Sequence, residues 1–504
     1  MKPLKVAAAI FFVAAICAHG ADRINQEGRI LGPLPTVSAP TLFNTPAADA
    51  VLSAMQIFPR DNPWNEDISR RPILSNSDAM IAQIIADLRS DRRTLRAFAE
   101  MNFVLVPDNQ PRIPISFLDY PDESDPSPYP IPSNLPVETW PRETGPLTLS
   151  EWQRDINGDG GDRHAIMAMP GAGFIWETWQ TRVANGAWEA SNGAKFNLNS
   201  NSLRPAGWTS GDAAGLPMFP ALLRFDECER GMVEHAMRII VKRTRVGPIY
   251  PATHQASVGN LTDPNIPAMG QRLRLKAQFT VPSTWTKQEK AILLGLKKYG
   301  AIVADNGNFF SISVTPDDRY PADAFDHLST IAITNFEVIQ TTAPTEGPRS
   351  PGAPQVEAGP DQTPRPGEAL QLLGTVTNNT PLVRTAWKQY SGPASTVFTD
   401  PSRTNSTVSF PAPGEYILML SADDGTHAVA YDTLHIAVSN QLTVQIARSN
   451  SELILSWNWT TPCVIEASSN LSPPQWLPVV TNSTGQFRAP LSNQNFFYRL
   501  RASP

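Results

Sequence analysis

The sequence predicts a multidomain, mainly β protein, and three observations carry this prediction. The chain has 504 residues, which suits about three domains of ordinary size. Proline is frequent, at 48 residues, while charged residues make up only 17%. A Pro/Gly/Thr-rich linker at 341–354 separates mixed helix and strand signals from short, regularly spaced strands. We therefore expect an α+β N-terminal domain with a β-sandwich-like core (57–340), an immunoglobulin-like β-sandwich (355–440) and a small all-β module (441–504).

The first 20 residues have the features of a secretory signal peptide. Lys2 and Lys5 precede an apolar run at 6–17, and small residues lead to a cleavage site before Ala21. The run is too short to span a bilayer comfortably, and no later segment is apolar enough to do so. The sequence thus predicts an exported protein, free or at the cell surface, without a transmembrane segment.

Charge and cysteine content exclude further classes of protein. The formal net charge is −6 with no basic block, which disfavours nucleic acid as a partner because phosphate binding needs clustered Lys and Arg. Only Cys228 and Cys463 follow the leader, and they fall in different predicted domains. A disulfide between them is not favoured, and neither a disulfide scaffold nor a Cys-based metal site is expected.

The N-terminal domain is expected to begin after a loose, polar lead-in at 21–56. A helix should start near a cap at 75–78 and run to about Phe98, because its apolar residues have helical spacing. A second helix at 286–299 has Thr286 as its cap, and its stop is expected at the glycine that follows. Strands are expected at 103–106, 113–117, 163–169, 174–179, 233–243, 273–281 and 336–339, with a hairpin formed by 301–304 and 309–314.

Residues 356–438 contain VEAGPDQ (356–362), Trp387 with SGP (391–393), GEY (414–416) and LSADDG (420–425). In order and spacing these motifs resemble a PKD-type, immunoglobulin-like module. The resemblance implies a seven-stranded β-sandwich with Trp387 buried and Tyr416 near a strand corner, acting as a spacer or interaction unit.

Two further resemblances concern the ends of the chain. The segments DESDPSPYPIP (122–132), GDRH (161–164), 188–217 and MGQRLRLKAQF (269–279) resemble a family of secreted bacterial and fungal proteins, which transfers no catalytic roles to this chain. Residues 442–504 resemble small C-terminal β modules of large secreted bacterial proteins, which implies a surface or assembly role.

The stretch 188–227 shows no sustained helical or strand period, yet it keeps its aromatic and apolar residues. Long irregular segments inside compact domains are usually functional loops, so we predict an ordered surface loop that builds a site. Aromatic rings can stack on sugars, and charged side chains can bind their substituents. The predicted substrate-binding residues are Trp188, Trp208, Arg204, Arg224, Asp212, Lys276 and His254.

Carboxylates near these aromatic residues suggest glycoside hydrolysis, which needs one carboxyl with a raised pKa and one with an ordinary pKa. The candidates are Glu177 or Glu227 with Asp226 or Asp122. The alternative interpretation is that these carboxylates form structural ion pairs with Arg163, Arg224 or Arg238, since such pairs are commoner than catalytic ones.

The histidines allow a different chemistry. His164 and Arg163, which stand before an apolar strand, are further catalytic candidates, and a His with an Arg and Lys276 could abstract a proton from a uronic acid, as a lyase would. A metal held by His164, His235 and His254 is not supported, because the sequence lacks H-x-H and H-E-x-x-H spacings.

The segment DINGDG (155–160) resembles the first half of a calcium loop. Its twelfth position is Ile166 instead of Glu, which argues against an EF-hand. A non-helical calcium site formed by Asp155, Asn157, Asp159 and Asp162 is the alternative to a plain turn, and no other cofactor is expected.

Together these patterns predict a secreted protein whose N-terminal domain binds or cleaves extracellular polysaccharide or a cell-surface glycan. The alternative is a non-catalytic surface or adhesion protein with immunoglobulin-like spacers. The sequence has no G-x-S-x-G elbow, P-loop or dinucleotide-binding motif.

Overall fold

The structure is a computed structural model, and it confirms the multidomain, mainly β architecture. The chain divides into two compact units, one built mainly from residues 23–351 and the other mainly from residues 352–504. The described residues are 21–142, 144–154, 161–256, 259–341, 353–378, 381–382, 384–439, 444–449, 452–457, 463–470, 472, 475–482, 485–490 and 497–502. The predicted signal peptide and most of the predicted linker lie outside them.

The first unit contains both strands and helices. Its strands are β1 (Thr41–Leu42), β2 (Leu95–Ala99), β3 (Val104–Leu105), β4 (Ile115–Phe117), β5 (Ala165–Met169), β6 (Phe174–Trp179), β7 (Arg182–Ala184), β8 (Ala187–Ala190), β9 (Asn192–Asn197), β10 (Met237–Val241), β11 (Arg272–Leu275), β12 (Ala301–Asn306), β13 (Phe310–Val314) and β14 (Phe336–Val338). Its α-helices are α1 (Pro46–Ala54), α2 (Ser77–Asp87), α3 (Leu149–Trp152), α4 (Phe225–Arg230) and α5 (Lys287–Lys298). Short 3₁₀ turns lie at Pro63–Asn65, Ser90–Arg92, Pro121–Glu123, Phe219–Ala221, Asp326–Thr330 and Ile333–Asn335.

Three sheets form the layers of this unit. A six-stranded sheet has the order β14-β11-β12-β10-β13-β2, a five-stranded sheet has the order β1-β3-β5-β6-β9, and a small sheet has the order β4-β8-β7. One core joins the first two sheets, with Ile166 and Ile175 from the five-stranded sheet and Ile239 from the six-stranded sheet. A second core joins the opposite face of the five-stranded sheet, through Trp176, to the small sheet. Strands whose alternate residues enter different cores read as continuously apolar, as β5 does.

Helix α5 confirms its sequence signals. The Thr286 side chain accepts the Glu289 N–H while the Glu289 side chain accepts the Thr286 N–H, which is a complete capping box. Leu293 and Leu296 are fully buried on its inner face. Gly300, the predicted stop, has φ +66°, the left-handed conformation that ends many helices.

Replacing Gly300 with alanine is expected to destabilise the first unit by about 2 kcal/mol or more, because the left-handed conformation costs roughly 1–2 kcal/mol and the site has no room. An added Cβ would lie 2.2 Å from the Leu273 carbonyl oxygen. Gly231→Ala is the matched control, since Gly231 has φ +91° and nothing within 4 Å of the added Cβ. Urea denaturation should show the larger loss for Gly300→Ala; equal losses would contradict the close approach.

The structure corrects two predictions made for the first hundred residues. The segment 21–56 is not a loose lead-in, because it forms α1 and buries Val51 and Leu52 in the main core. The helix at 77 ends at Asp87 instead of Phe98, and residues 95–99 form strand β2. The apolar spacing is helical only as far as Leu88, after which charged residues break the stripe.

The predicted hairpin at 301–314 is also wrong. Strand β10 lies between β12 and β13, with Met237 paired in parallel to Ala301 and Ile240 paired in antiparallel to Ser311. The register of β10 against β12 shifts after Ile239. A local turn signal cannot show that a strand from elsewhere in the sequence inserts between two neighbours.

The stretch 188–227 is not one surface loop. It contains β8, β9 and the start of α4, and nearly every residue from 209 to 224 is buried. This buried segment, 209–224, crosses between the sheets: the Ala214 N–H donates to the Ala304 carbonyl of the six-stranded sheet at 2.9 Å.

The second unit contains β15 (Gln355–Glu357), β16 (Ala369–Gln371), β17 (Thr375–Thr377), β18 (Arg384–Ser391), β19 (Val397–Phe398), β20 (Thr407–Ser409), β21 (Gly414–Asp423), β22 (Ala430–Val438), β23 (Val444–Ser449), β24 (Glu452–Trp457), β25 (Cys463–Ser468), β26 (Leu477–Asn482), β27 (Gln486–Pro490) and β28 (Phe497–Ala502). Strands β18, β21 and β22 form one sheet of the immunoglobulin-like module. Trp387 and Tyr416 are buried in its core, and the Tyr416 hydroxyl donates to the Ala412 carbonyl at 2.9 Å. Strands β23 to β28 form two three-stranded sheets.

Candidate functional site

A buried histidine–carboxylate pair lies between the two large sheets. His164 directly precedes β5, and its Nδ1 lies 2.9 Å from Glu138 Oε2. Its Nε2 lies 2.8 Å from the Gly211 carbonyl oxygen, so both ring nitrogens face acceptors. Burial alone would lower the pKa of His164, but the charge and hydrogen bond of Glu138 outweigh burial and raise this pKa to about 9. His164 is therefore an imidazolium at neutral pH.

The backbone beside this pair is strained at two positions. Thr139, next to Glu138, has φ +68°, and Arg163, next to His164, has φ +52°. A β-branched residue rarely adopts a left-handed conformation, and each such residue costs about 1–3 kcal/mol. The Arg163 side chain is held by the carbonyl oxygens of Thr181 and Trp152, at 3.0 and 2.8 Å. Arg163 thus anchors the backbone instead of facing a ligand.

A buried ion pair links the six-stranded sheet to the segment 209–224. Arg238 on β10 donates to both carboxylate oxygens of Asp212, at 2.9 and 2.8 Å, and to Ser313 Oγ at 2.8 Å. The Asp212 side chain is fully buried and that of Arg238 is 3% exposed. The Asp212 carboxylate raises the pKa of Arg238 above its usual value despite burial, so the guanidinium stays charged.

Glu177 on β6 lies beside both pairs. Its carboxylate accepts the backbone N–H groups of Met218 and Phe219, at 2.8 to 3.0 Å, where the segment 209–224 turns back. Burial raises the pKa of Glu177 to about 7, although these hydrogen bonds lower it. Gly211 packs between Glu177 and His164: a Cβ added there would lie 3.6 Å from Glu177 Cβ and 3.8 Å from His164 Cδ2.

Two carboxyl groups form the solvent-reachable rim of this arrangement. Glu100, directly after β2, is half-buried, and the side chain of Asp305 on β12 is 25% exposed. Burial raises the pKa of Glu100 to about 7, assisted by the charge of Glu138. Burial likewise raises the pKa of Asp305 to about 7, assisted by Asp212. The Arg238 guanidinium opposes both shifts and lies 3.8 Å from Asp305.

These groups form one electrostatically coupled set, which we name the acid–base cluster: Glu100, Glu138, His164, Glu177, Asp212, Arg238 and Asp305. Two fixed cations sit among five carboxyl groups, three of which have pKa values near 7. Such groups populate both protonation states at neutral pH, which is what general acid–base catalysis requires.

The Glu138–His164 pair predicts a pH-dependent stability. The contribution of this pair to the free energy of unfolding is fully present below pH 6.5, the ordinary pKa of histidine. It is lost as the pH rises through about 9, the pKa of His164 in the folded state, because His164 then releases its proton. By linkage, the loss should reach a few kcal/mol, at about 1.4 kcal/mol per pH unit. Urea denaturation between pH 6.5 and 9 should show this fall in the wild type and less of it in His164→Gln. His327→Gln is the control, since the His327 side chain is 47% exposed, and an equal fall in all three proteins would contradict the assignment.

Three sequence-predicted residues meet in the cluster: Glu177, His164 and Asp212.

Asp226 and Glu227 lie elsewhere, on α4, in a network of ion pairs. Asp226 pairs with Arg230, and Glu227 accepts from Arg224 Nη2 at 2.6 Å. Burial would raise the pKa of Glu227, but the charges of Arg224 and His235 hold it at about 2. The structure therefore does not bring Glu177 together with Asp226 or Glu227, and Arg224 serves this network.

The residues predicted to bind substrate are dispersed. Arg204 clips two loops together, donating to the Thr209 carbonyl at 2.8 Å and pairing with Asp125. Trp208 is half-buried, 5.4 Å from the Arg204 guanidinium. Asp122 is exposed in the 3₁₀ turn Pro121–Glu123.

Three further predicted residues have structural contacts. Trp188 packs on the second core from the small sheet. His254 Nδ1 lies 2.7 Å from the Ala213 carbonyl oxygen, and Lys276 donates to the Thr334 carbonyl at 2.9 Å. These contacts leave the three side chains outside the acid–base cluster.

The proposed calcium loop lies mostly outside the described residues. Of its four candidate ligands, Asp155, Asn157 and Asp159 are among the undescribed residues, and Asp162 is exposed. Within the part of the chain that the structure describes, no group of three or more His, Cys, Asp or Glu side chains is arranged to hold a metal ion.

Sequence reasoning missed four members of the cluster as functional residues: Glu100, Glu138, Asp305 and Arg238, the last of which it considered only as a structural ion-pair partner. Glu100 directly follows β2, and Asp305 is the second-last residue of β12. An acidic residue at the end of a strand was the sequence signal that could have identified these two residues. Glu138 lies in a Pro-rich connection without periodicity, where the sequence carries no such signal.

Small clefts lie among the described residues of the first unit, and two examples show their size. One, with a cavity volume of about 30 Å³, lies beside Arg224, Glu227 and His235. The other, of about 20 Å³, lies beside Trp64 and Arg204. Each has room for only one or two water molecules, at about 15 Å³ each.

Comparison with known proteins identifies one module. Residues 358–438 match a family model described as a PKD domain. This confirms the predicted PKD-type module, a type typical of extracellular proteins. Among curated proteins, no sequence matches the chain. No helix among the described residues is long and apolar enough to cross a membrane.

Several solved structures are similar to parts of the chain. The PKD domain from KIAA 1837 protein is 21% identical, with 18% of this chain and 90% of that chain covered and a TM-score of 0.16. The CbhA fibronectin(III)-like modules of Clostridium thermocellum are 10% identical, with 29% and 84% covered and a TM-score of 0.16. The D00-D0 domain of Intimin is 11% identical, with 30% and 86% covered and a TM-score of 0.15. Scores this low carry no argument about function.

Proposed function

We propose that this chain is an exported protein whose N-terminal domain acts on extracellular polysaccharide by acid–base chemistry. Glu100 and Asp305 are the proposed acid and base, with Arg238 and His164 as the fixed positive charges beside them. The observation that carries this proposal is the convergence of two partly exposed carboxyl groups, each with a pKa near 7, on one buried guanidinium.

The chemistry favours hydrolysis over elimination. Glycoside hydrolysis uses one carboxyl group that donates a proton to the leaving oxygen and a second, ionised one that activates water or attacks the sugar. Glu100 and Asp305 supply both forms near pH 7, because a carboxyl group with a pKa of about 7 is partly protonated and partly ionised there. His164 is unsuited to abstract a proton as a lyase base, because both of its nitrogens face acceptors and its pKa is about 9.

Export supports an extracellular substrate. The N-terminal leader pattern predicts secretion, and the PKD module is of a type typical of extracellular proteins. Attachment to such a module is an association and carries no mechanism, so the chemistry depends on the cluster alone.

One observation favours a second candidate function, a non-catalytic glycan-binding or adhesion domain. The described clefts have cavity volumes of only about 30 and 20 Å³, and neither is lined by Glu100 or Asp305. A binding surface needs no enclosed cleft, whereas a hydrolase must surround the bond that it cleaves.

A screen of the whole secreted chain against plant, fungal and bacterial polysaccharides separates the two functions. We expect new reducing ends without absorbing unsaturated ends, which identifies hydrolysis. Unsaturated ends would contradict the roles given to the carboxyl groups. Retention on a glycan without cleavage would select the binding domain, and the absence of both cleavage and retention across the panel would contradict a role in polysaccharide recognition.

A further inference from the structure

Two cations lie over two aromatic rings on the face of the five-stranded sheet that contributes to the second core. Trp176 on β6 pairs directly with Lys195 on β9, and Phe174 is two residues away on the same face. Arg112 reaches this face from the connection between β3 and β4. We name these four residues, Arg112, Phe174, Trp176 and Lys195, the cation–aromatic strip.

The strip combines exposed charge with fixed rings. The Arg112 guanidinium lies 4.3 Å from the centroid of the Trp176 ring, and Lys195 Nζ lies 4.3 Å from Phe174 and 5.4 Å from Trp176. Arg112 and Lys195 are exposed, while Trp176 is buried and Phe174 half-buried. Both cations thus lie at the surface within 5.4 Å of the centre of the Trp176 ring, and these ring contacts reduce the entropy cost of binding an anion.

The strip lacks a counter-charge of its own. Among the described residues, neither Arg112 nor Lys195 lies within 4.0 Å of a carboxylate oxygen. The nearby carboxylates are engaged: Asp125 pairs with Arg204 and accepts the Lys195 backbone N–H, and Asp108 accepts the Ala172 N–H. Burial against Trp176 lowers the pKa of Arg112, a cost that a bound anion would offset.

We propose that the cation–aromatic strip is a binding subsite for the carboxylate of an acidic polysaccharide, such as one built from uronic acids. A guanidinium binds a carboxylate through two parallel hydrogen bonds, and the neighbouring ammonium adds a third. The half-buried Phe174 ring and the stems of the two cations offer apolar surface to the sugar. This inference rests on the proposed function, which supplies the polysaccharide as the ligand. It deepens that function by adding that the polysaccharide is negatively charged.

A polyuronate fits this strip better than a nucleic acid does. Nucleic-acid binding draws on many phosphate contacts and a basic surface, whereas the strip has two cations in a chain with net charge −6. Binding should weaken as salt rises, because exposed charges are screened.

The test measures the affinity of the whole chain for polygalacturonate, for a neutral β-glucan and for single-stranded DNA at the same ionic strength. We expect polygalacturonate to bind most tightly and Arg112→Gln or Lys195→Gln to weaken it by about 10-fold each, the size of one charge-assisted hydrogen bond. Arg92→Gln is the matched control, since Arg92 lies 4.3 Å from the Phe309 ring and should have no effect.

Each other outcome has a definite meaning. No binding of polygalacturonate, unchanged affinity in both strip variants, or an equal loss in Arg92→Gln would overturn the proposal. Tighter binding of the DNA would replace the polysaccharide with a nucleic acid. Cleavage of neutral glycans without polyuronate binding would overturn the strip alone, whereas strip-dependent binding without cleavage would keep the strip and overturn the catalytic proposal.

Discussion

Glu100→Gln and Asp305→Asn are each expected to lower kcat on the cleaved polysaccharide about 10²–10⁴-fold, the usual contribution of a general acid or base. Each substitution keeps the shape of the side chain and removes its ability to exchange a proton. Both carboxyl groups have pKa values raised to about 7, mainly by burial. The wild-type pH profile of kcat/KM should therefore be bell-shaped around neutral pH, and each variant should lose one limb of the profile.

The control for these variants is Asp318→Asn. Asp318 has a side chain that is 84% exposed and pairs with Arg142 at 3.3 Å. The kcat of the Asp318→Asn variant should equal that of the wild type. Full activity in Glu100→Gln, or a loss without any change in the pH profile, would contradict an acid–base role and indicate a structural one.

Arg238→Leu is expected to destabilise the first unit by about 3–5 kcal/mol, the cost of leaving a buried carboxylate without its partner. Asp212 is fully buried and receives two hydrogen bonds from Arg238. Without them, the buried carboxylate of Asp212 is left without a compensating charge. Urea denaturation at pH 7 should show the loss in the transition of the first unit.

Arg243→Leu is the matched control for this loss. Arg243 also lies in the six-stranded sheet region and pairs with Asp87 at 2.8 Å, but its side chain is 41% exposed. An exposed pair of this kind contributes about 0–1 kcal/mol. A loss in Arg238→Leu no larger than in Arg243→Leu would contradict the stabilising role of the buried ion pair.

The sequence predicted those elements whose signals are local. The capping box of α5, the strand Phe174–Trp179 and the buried Trp387 of the PKD-type module depend on neighbouring residues, and all three are present. The hairpin at 301–314 failed because the pairing of β12 with β10 joins residues more than 60 positions apart. Sequence periodicity reports which face of a strand is buried and carries no information on which strand lies beside it.

The candidate site was only partly predictable for the same reason. Glu177 and His164 were identified because they stand in or beside aromatic and apolar strands. Glu138, the partner of His164, and Arg238, the partner of Asp212, come from distant segments, and only the fold brings the two pairs together. The compact packing of 209–224 was unexpected because Gly, Pro and Ser at its turns hide the buried side chains from any periodicity.

The most direct test of the acid–base cluster is a pH titration of the carboxyl carbons of Glu100 and Asp305 by ¹³C NMR, assigned by difference from Glu100→Gln and Asp305→Asn. It needs no knowledge of the substrate. The structure predicts that both groups titrate near pH 7. Titration of both groups near pH 4, the ordinary value for carboxyl groups, would contradict the cluster as a catalytic centre.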